Sequence, residues 1–173
     1  MPPLRPLADI IFRRSTIIAG IEVRGGTEFI RRTEEALELL RNTPHFPEIR
    51  RHIAVIKQGR RSGMLAQKKR PTFAVGRRTW SHSALWYAGA IAHDAYHSKL
   101  YHDAKRETAN PPADCWTGPE AERKCLAFQI EALKSLGADG ATVAYLEKLR
   151  KNPTYQGHHK GWRGWRDYLR RRW

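Results

Sequence analysis

Apolar and polar positions alternate with a period near two over residues 16–24, "TIIAGIEVR" after Ser15, predicting a β-strand that ends at Gly25 and Gly26. The period then lengthens. In "TEFIRRTEEALELLRNT", Ile30, Thr33, Leu37 and Leu40 fall on one face, so an amphipathic helix begins with Thr27 as its cap and stops at Asn42, Thr43 and Pro44. A second helix is expected over "PEIRRHIAVIKQ", with Pro47 in its first turn. Beyond Gly59 and Gly63, "MLAQ" and "TFAVG" predict two short strands joined by "KKRP".

The hydroxyl-rich "RRTWSHS" supplies caps for a helix from about Ser83 to Tyr101, rich in alanine and aromatic residues and interrupted only by Gly89. "DAKRETANPPADCWTG" is expected to be a loop. Pro119 then opens "PEAERKCLAFQIEALKSL", which Gly137 ends, and Asp139 is placed to cap "GATVAYLEKLRK". In the tail, Trp162, Trp165, Tyr168 and Leu169 recur every three or four residues. A short basic, aromatic helix docked on the core accounts for that spacing, and a surface that stacks bases or grips phosphates is the alternative, with His158 and His159 nearby. The expectation is one α+β domain over 1–173, with 152–173 as its C-terminal extension.

Composition narrows the class. Hydrophobic residues make up 40% of the 173 positions, enough for a packed core without staples. Arg13 and Arg14 divide the apolar pieces Leu7–Phe12 and Ile17–Ile21, which makes a poor signal peptide, and no stretch is long and apolar enough to span a bilayer. A cytoplasmic protein is expected. Cys115 and Cys125 match no common zinc-ribbon spacing and read as a loop thiol and a small buried residue. The net charge of +15 suits a polyanionic partner, whether nucleic acid, acidic lipid or an acidic protein; a general solubility charge is the competing account.

The candidate chemistry lies in "IAHDAYHSKLY". His93 and His97 are four apart, so on a helix they stand about 40° apart around the axis and about 6 Å along it, close enough to share a cation. Eight histidines give about 0.36 such pairs by chance, so the surroundings must carry the assignment. Trp86, Gly89, Ala90, His93, Tyr96, His97 and Leu100 form one broad stripe, which puts the imidazoles on a buried face. Glu122, in a helix whose apolar positions mark it as a core element, is the preferred third ligand. Glu120 and Glu131 compete for that role, and His102 is a further competitor. "RPTFAVGRRTW" offers an edge strand able to hold an extended peptide. Without a metal, the pair would be two core imidazoles bonded to nearby groups, and Asp94 an exposed acid orienting a histidine or pairing with an arginine.

The order of long helix, short strands, edge strand "TFAVG", helix "HDAYH", loop and glutamate helix "EAERKCLAFQ" resembles the minimal core of the zincin metallopeptidases over roughly residues 27–136. The likeness is greatest to the branch whose third ligand is glutamate. What the resemblance implies is a zinc ion held by His93, His97 and Glu122, a peptide or protein substrate, and Asp94 as general base on the zinc-bound water. Zincins ordinarily carry glutamate at that last position, and aspartate is shorter by about 1.5 Å.

Overall fold

The computed structural model describes residues 14–152. Its first elements are β1 (Arg14–Ile18) and β2 (Ile21–Gly25), then α1 (Thr27–Arg41), α2 (Phe46–His52) and β3 (Val55–Gln58). They are followed by β4 (Gly63–Leu65), β5 (Thr72–Val75) and the one-turn α3 (Arg77–Trp80). Three longer helices complete the fold: α4 (Ala84–Glu107), α5 (Gly118–Ser135) and α6 (Gly140–Lys151). The architecture is α+β, as the alternation of periods predicts. Among the described residues no helix is long and apolar enough to cross a membrane. The expected docking of the aromatic tail falls on residues outside those described.

Five strands form one mixed sheet in the order β1-β2-β3-β5-β4, parallel at β2/β3 and β3/β5 and antiparallel at both outer pairs. The stretch expected to be one strand over 16–24 is a hairpin. Ala19 and Gly20 both take positive φ, 49° and 82°, and a two-residue turn with two such residues matches the right-handed twist of the strands it joins. The helix expected over "PEIRRHIAVIKQ" ends at His52, and Val55–Gln58 turns instead into the centre of the sheet. There Val55 and Ile56 are buried between parallel neighbours, a place that favours β-branched residues over helical continuation.

A further correction concerns the edge. "TFAV" is an interior strand, paired with β3 on one side and β4 on the other, so β4 ends the sheet. A run of buried, uncharged side chains in Thr72–Val75 is what an inner strand requires, whereas Gly63–Leu65 is half-buried to exposed.

Helix α4 is the axis of the molecule. One side joins Tyr87, Ala88, Ile91, Ala92 and Ala95 to the sheet and α1 in the main core. Tyr87 Oη meets Thr33 Oγ1 at 2.9 Å there, which satisfies two buried hydroxyls. The other side faces α5 and α6, whose Leu126, Ile130, Leu133 and Leu146 make a smaller core. A helix buried on both faces is apolar nearly all round, so its sequence stripe marks only the face toward α5. It also runs six residues past Tyr101, since nothing in "HDAKRE" breaks a helix. As expected, Asp139 caps α6, with its Oδ1 accepting the Thr142 N–H at 2.8 Å.

Gly89 sets the spacing between α4 and α5. A Cβ there would lie 2.9 Å from Leu133 Cδ1 and 3.2 Å from Gln129 Nε2. Overpacking costs about 1–3 kcal/mol, while alanine's helix propensity returns at most about 1 kcal/mol. Gly89→Ala should therefore lower stability by about 1 kcal/mol net in urea unfolding. Glu22 provides a pH test. Hydrogen bonds from Arg24, Ser15 and Arg70 lower its carboxyl to about 2 from an ordinary 4.5. A carboxylate depressed on folding stabilises above its unfolded value and loses that contribution as pH falls toward the folded one. Glu22→Gln should accordingly flatten the acid limb of the stability curve between pH 4.5 and 2, read by thermal melts across that window.

Candidate metal centre

Helices α4 and α5 place His93, His97 and Glu122 together. Glu122 is buried to 1% exposure. Its Oε1 lies 3.0 Å from His97 Nε2 and its Oε2 3.3 Å from His93 Nε2, and the two Nε2 atoms are 3.1 Å apart. Glu120 and Glu131, the competing acids, are exposed and paired with Arg123 and Lys134. His102 is not brought in either: its Nδ1–H donates to the Ser98 carbonyl at 2.7 Å and its ring faces His52. His82 is exposed at the start of α4. Tyr96 and Tyr101 pack on Phe128 and Trp116.

The outer nitrogens of the two rings are committed. His97 Nδ1 is 2.8 Å from the Trp116 carbonyl oxygen, and His93 Nδ1 is 3.0 Å from Gln129 Oε1. Both oxygens only accept, so each Nδ1 carries the proton and each neutral ring turns a lone pair on Nε2 inward. Two lone pairs and a buried carboxylate thus converge, with the Cys125 thiol hydrogen-bonded to His97 beside them. A proton shared among these groups, or a metal cation, would offset the buried charge of the carboxylate. Burial opposes a charged His97, but contacts with Cys125 and Glu122 outweigh it and hold its pKa well above the ordinary histidine value. Burial likewise opposes ionisation of Glu122, yet hydrogen bonds with His93 and His97 hold its carboxyl well below the usual range.

The spacing also suits zinc. Ligand atoms about 2.0–2.1 Å from a tetrahedral zinc lie about 3.3 Å from one another, close to the separations seen here. Anchored Nδ1 atoms are the usual support of metal-bound imidazoles. Of the two anchors, Gln129 shares an inward face with Glu122 seven residues earlier and was open to sequence reasoning. The Trp116 carbonyl was not, because a backbone acceptor leaves no trace in side-chain pattern.

Cys125 is the residue that cysteine spacing missed. It is buried as expected, but one donor atom each from His93, His97 and Cys125 lie within 4.8 Å of one another, a group able to hold a metal. Its position three residues after Glu122 puts it on the same helical face. Burial pushes its thiol up to about 11. Cys115 is exposed and apart from this group.

Asp94 is half-buried, not an exposed acid, and accepts the backbone N–H of Met64 on β4. Burial pushes its carboxyl up to about 6, against the pull of His93 and His97. A cavity of about 350 Å³ opens over the cluster, with Met64 and Arg78 on one side and Trp86, Leu126, Leu146 and Leu149 as an apolar wall.

If Gln129 holds the His93 tautomer, Gln129→Ala should weaken zinc affinity about 10- to 100-fold in chelator competition, with the far-ultraviolet circular dichroism unchanged. No protein-family model matches the sequence, and comparison with curated proteins and with solved structures returned no match.

Proposed function

We propose that this protein is a zinc-dependent metallohydrolase acting on peptide bonds, of zincin-like kind, with His93, His97 and Glu122 as ligands and Asp94 as general base. The observation that carries this reading is the close triangle of two Nε2 atoms and a buried carboxylate at the floor of a cavity. Zinc bound there would polarise a carbonyl and lower the pKa of water.

The chain's own groups supply the rest. Trp116 and Gln129 orient the rings through Nδ1, and the apolar wall limits water around the reacting bond. Asp94, beside His93 and steadied by the Met64 N–H, takes a proton from the attacking water on its carboxylate and returns it to the leaving amine. Strand β4 ends the sheet beside the cavity and steadies Asp94 there through the Met64 N–H.

A second reading keeps the fold and discards the hydrolysis: a metal-stabilised binding protein whose charge serves nucleic acid or an acidic protein. Cys125 favours it, since a fourth protein donor closes a tetrahedral site to water.

Zinc-loaded wild type should contain one zinc per chain, and His93→Ala should lose it, as read by elemental analysis of the folded proteins. Asp94→Asn should retain the zinc yet hydrolyse an unfolded protein substrate about 10²- to 10⁴-fold more slowly. A wild type that stays zinc-free at saturating metal rejects the site. An inactive zinc form whose cobalt derivative shows a thiolate charge-transfer band, lost in Cys125→Ser, selects the closed site over the hydrolase.

A further inference from the structure

Between Glu48 and Asp94 the chain holds no acidic residue and ten lysines or arginines. Folding gathers part of this run at the mouth of the cavity. The β3–β4 loop is pinned to the start of α3 by three contacts: Gly59 N–H to the Val75 carbonyl at 2.8 Å, Gly76 N–H to Ser62 Oγ at 3.0 Å, and Ser62 Oγ to Thr79 Oγ1 at 2.6 Å. Arg60 and Arg61 on the loop therefore stand beside Arg77 and Arg78 on the helix, and all four are exposed. Ser62, Gly63, Met64, Arg78 and Thr79, from the same two segments, line the cavity directly. Of the acids that line it, Glu122 is turned to the histidines and Asp94 to Met64.

We infer that this arginine rim selects an acidic peptide segment, whose carboxylates Arg60 and Arg77 grip while a flanking side chain enters the cavity toward the cluster. The inference rests on the hydrolase reading for the direction of the peptide, and on charge and placement for its acidity. Arginine's planar fork matches a carboxylate, and the forks of Arg60 and Arg77, on braced segments, keep part of their attraction where single exposed pairs are weak. Phosphate would satisfy the same forks, but the neighbouring features fit peptide better. The apolar wall of Trp86, Leu126, Leu146 and Leu149 suits a side chain entering the cavity.

Fluorescein-labelled deca-glutamate, deca-glutamine and deca-thymidylate are the probes, with anisotropy measured on the full chain at low salt and at about 0.15 M. Deca-glutamate should bind at least tenfold more tightly than deca-glutamine at low salt. Arg60→Glu/Arg77→Glu should weaken it about tenfold and Arg60→Gln/Arg77→Gln less. Lys105→Glu/Lys134→Glu, an equal change in net charge away from the rim, should weaken it less than twofold. Equal losses in the two charge-reversed variants overturn the rim. Tighter binding of deca-thymidylate with the same dependence on Arg60 and Arg77 overturns the peptide and makes the rim a nucleic-acid surface. Rim-dependent peptide binding without cleavage of a glutamate-rich peptide by the zinc form leaves this inference standing and removes the hydrolase. Cleavage of a neutral peptide at a rate unmoved by the rim variants does the reverse.

Discussion

A buried carboxylate facing two imidazole lone pairs cannot stay in a protein interior uncompensated. Glu122 is almost fully enclosed and both rings are fixed from behind by acceptors, so its charge is met inside the cluster, where the raised pKa of His97 favours an imidazolium facing it. The rest of the molecule is arranged around that constraint. α4 supplies the rings one turn apart, α5 returns antiparallel core residues and the acid, and the loop between them ends with the Trp116 carbonyl on His97. Proton or metal, something positive completes the fold's interior.

That constraint explains why a helix pair so intimately packed carries a glycine at its contact. Gly89 lets α5 approach until Gln129 reaches His93, and Leu133, fully buried, fills the remaining space. The same closeness brings Cys125 near the rings, so one helical face offers oxygen, sulfur and amide groups to the same centre. The proposed hydrolase and the closed binding site would thus draw on one geometry, separated by whether the thiol takes a ligand position. Asp94 leans to the open side, tied to the end strand of the sheet and not to the cluster.

The electrostatic character divides in space in the same way. Around the cluster the acids are few and inward-turned, while the loop and short helix at the mouth of the cavity are rich in arginine. Many other cations are held within helices by acids three or four residues away, as Arg31 is by Glu28 and Glu35. Those pairs are local and contribute little to any outside field. The rim arginines have no acid within four residues in sequence, and they gather at the mouth of the cavity.

The α+β class, the cap at Asp139, the burial of the histidine face and the inward placement of Glu122 were all legible in residue order. Each depends on periodicity or on contacts within one turn of helix, which a one-dimensional pattern records. Spacing could not divide Ile17 from Glu22 into two strands, because the Ala19–Gly20 turn keeps both halves β-branched. Nor could it assign Val55–Gln58 to the sheet centre or move the edge from β5 to β4, since both follow from which strands find partners. The anchors on Nδ1, the place of Cys125 and the arginine rim arise where segments far apart in the chain meet. Sequence alone determined which side chains were available and which face each presented; tertiary packing decided which of them share a volume, because distance between remote segments is set by the core they bury together.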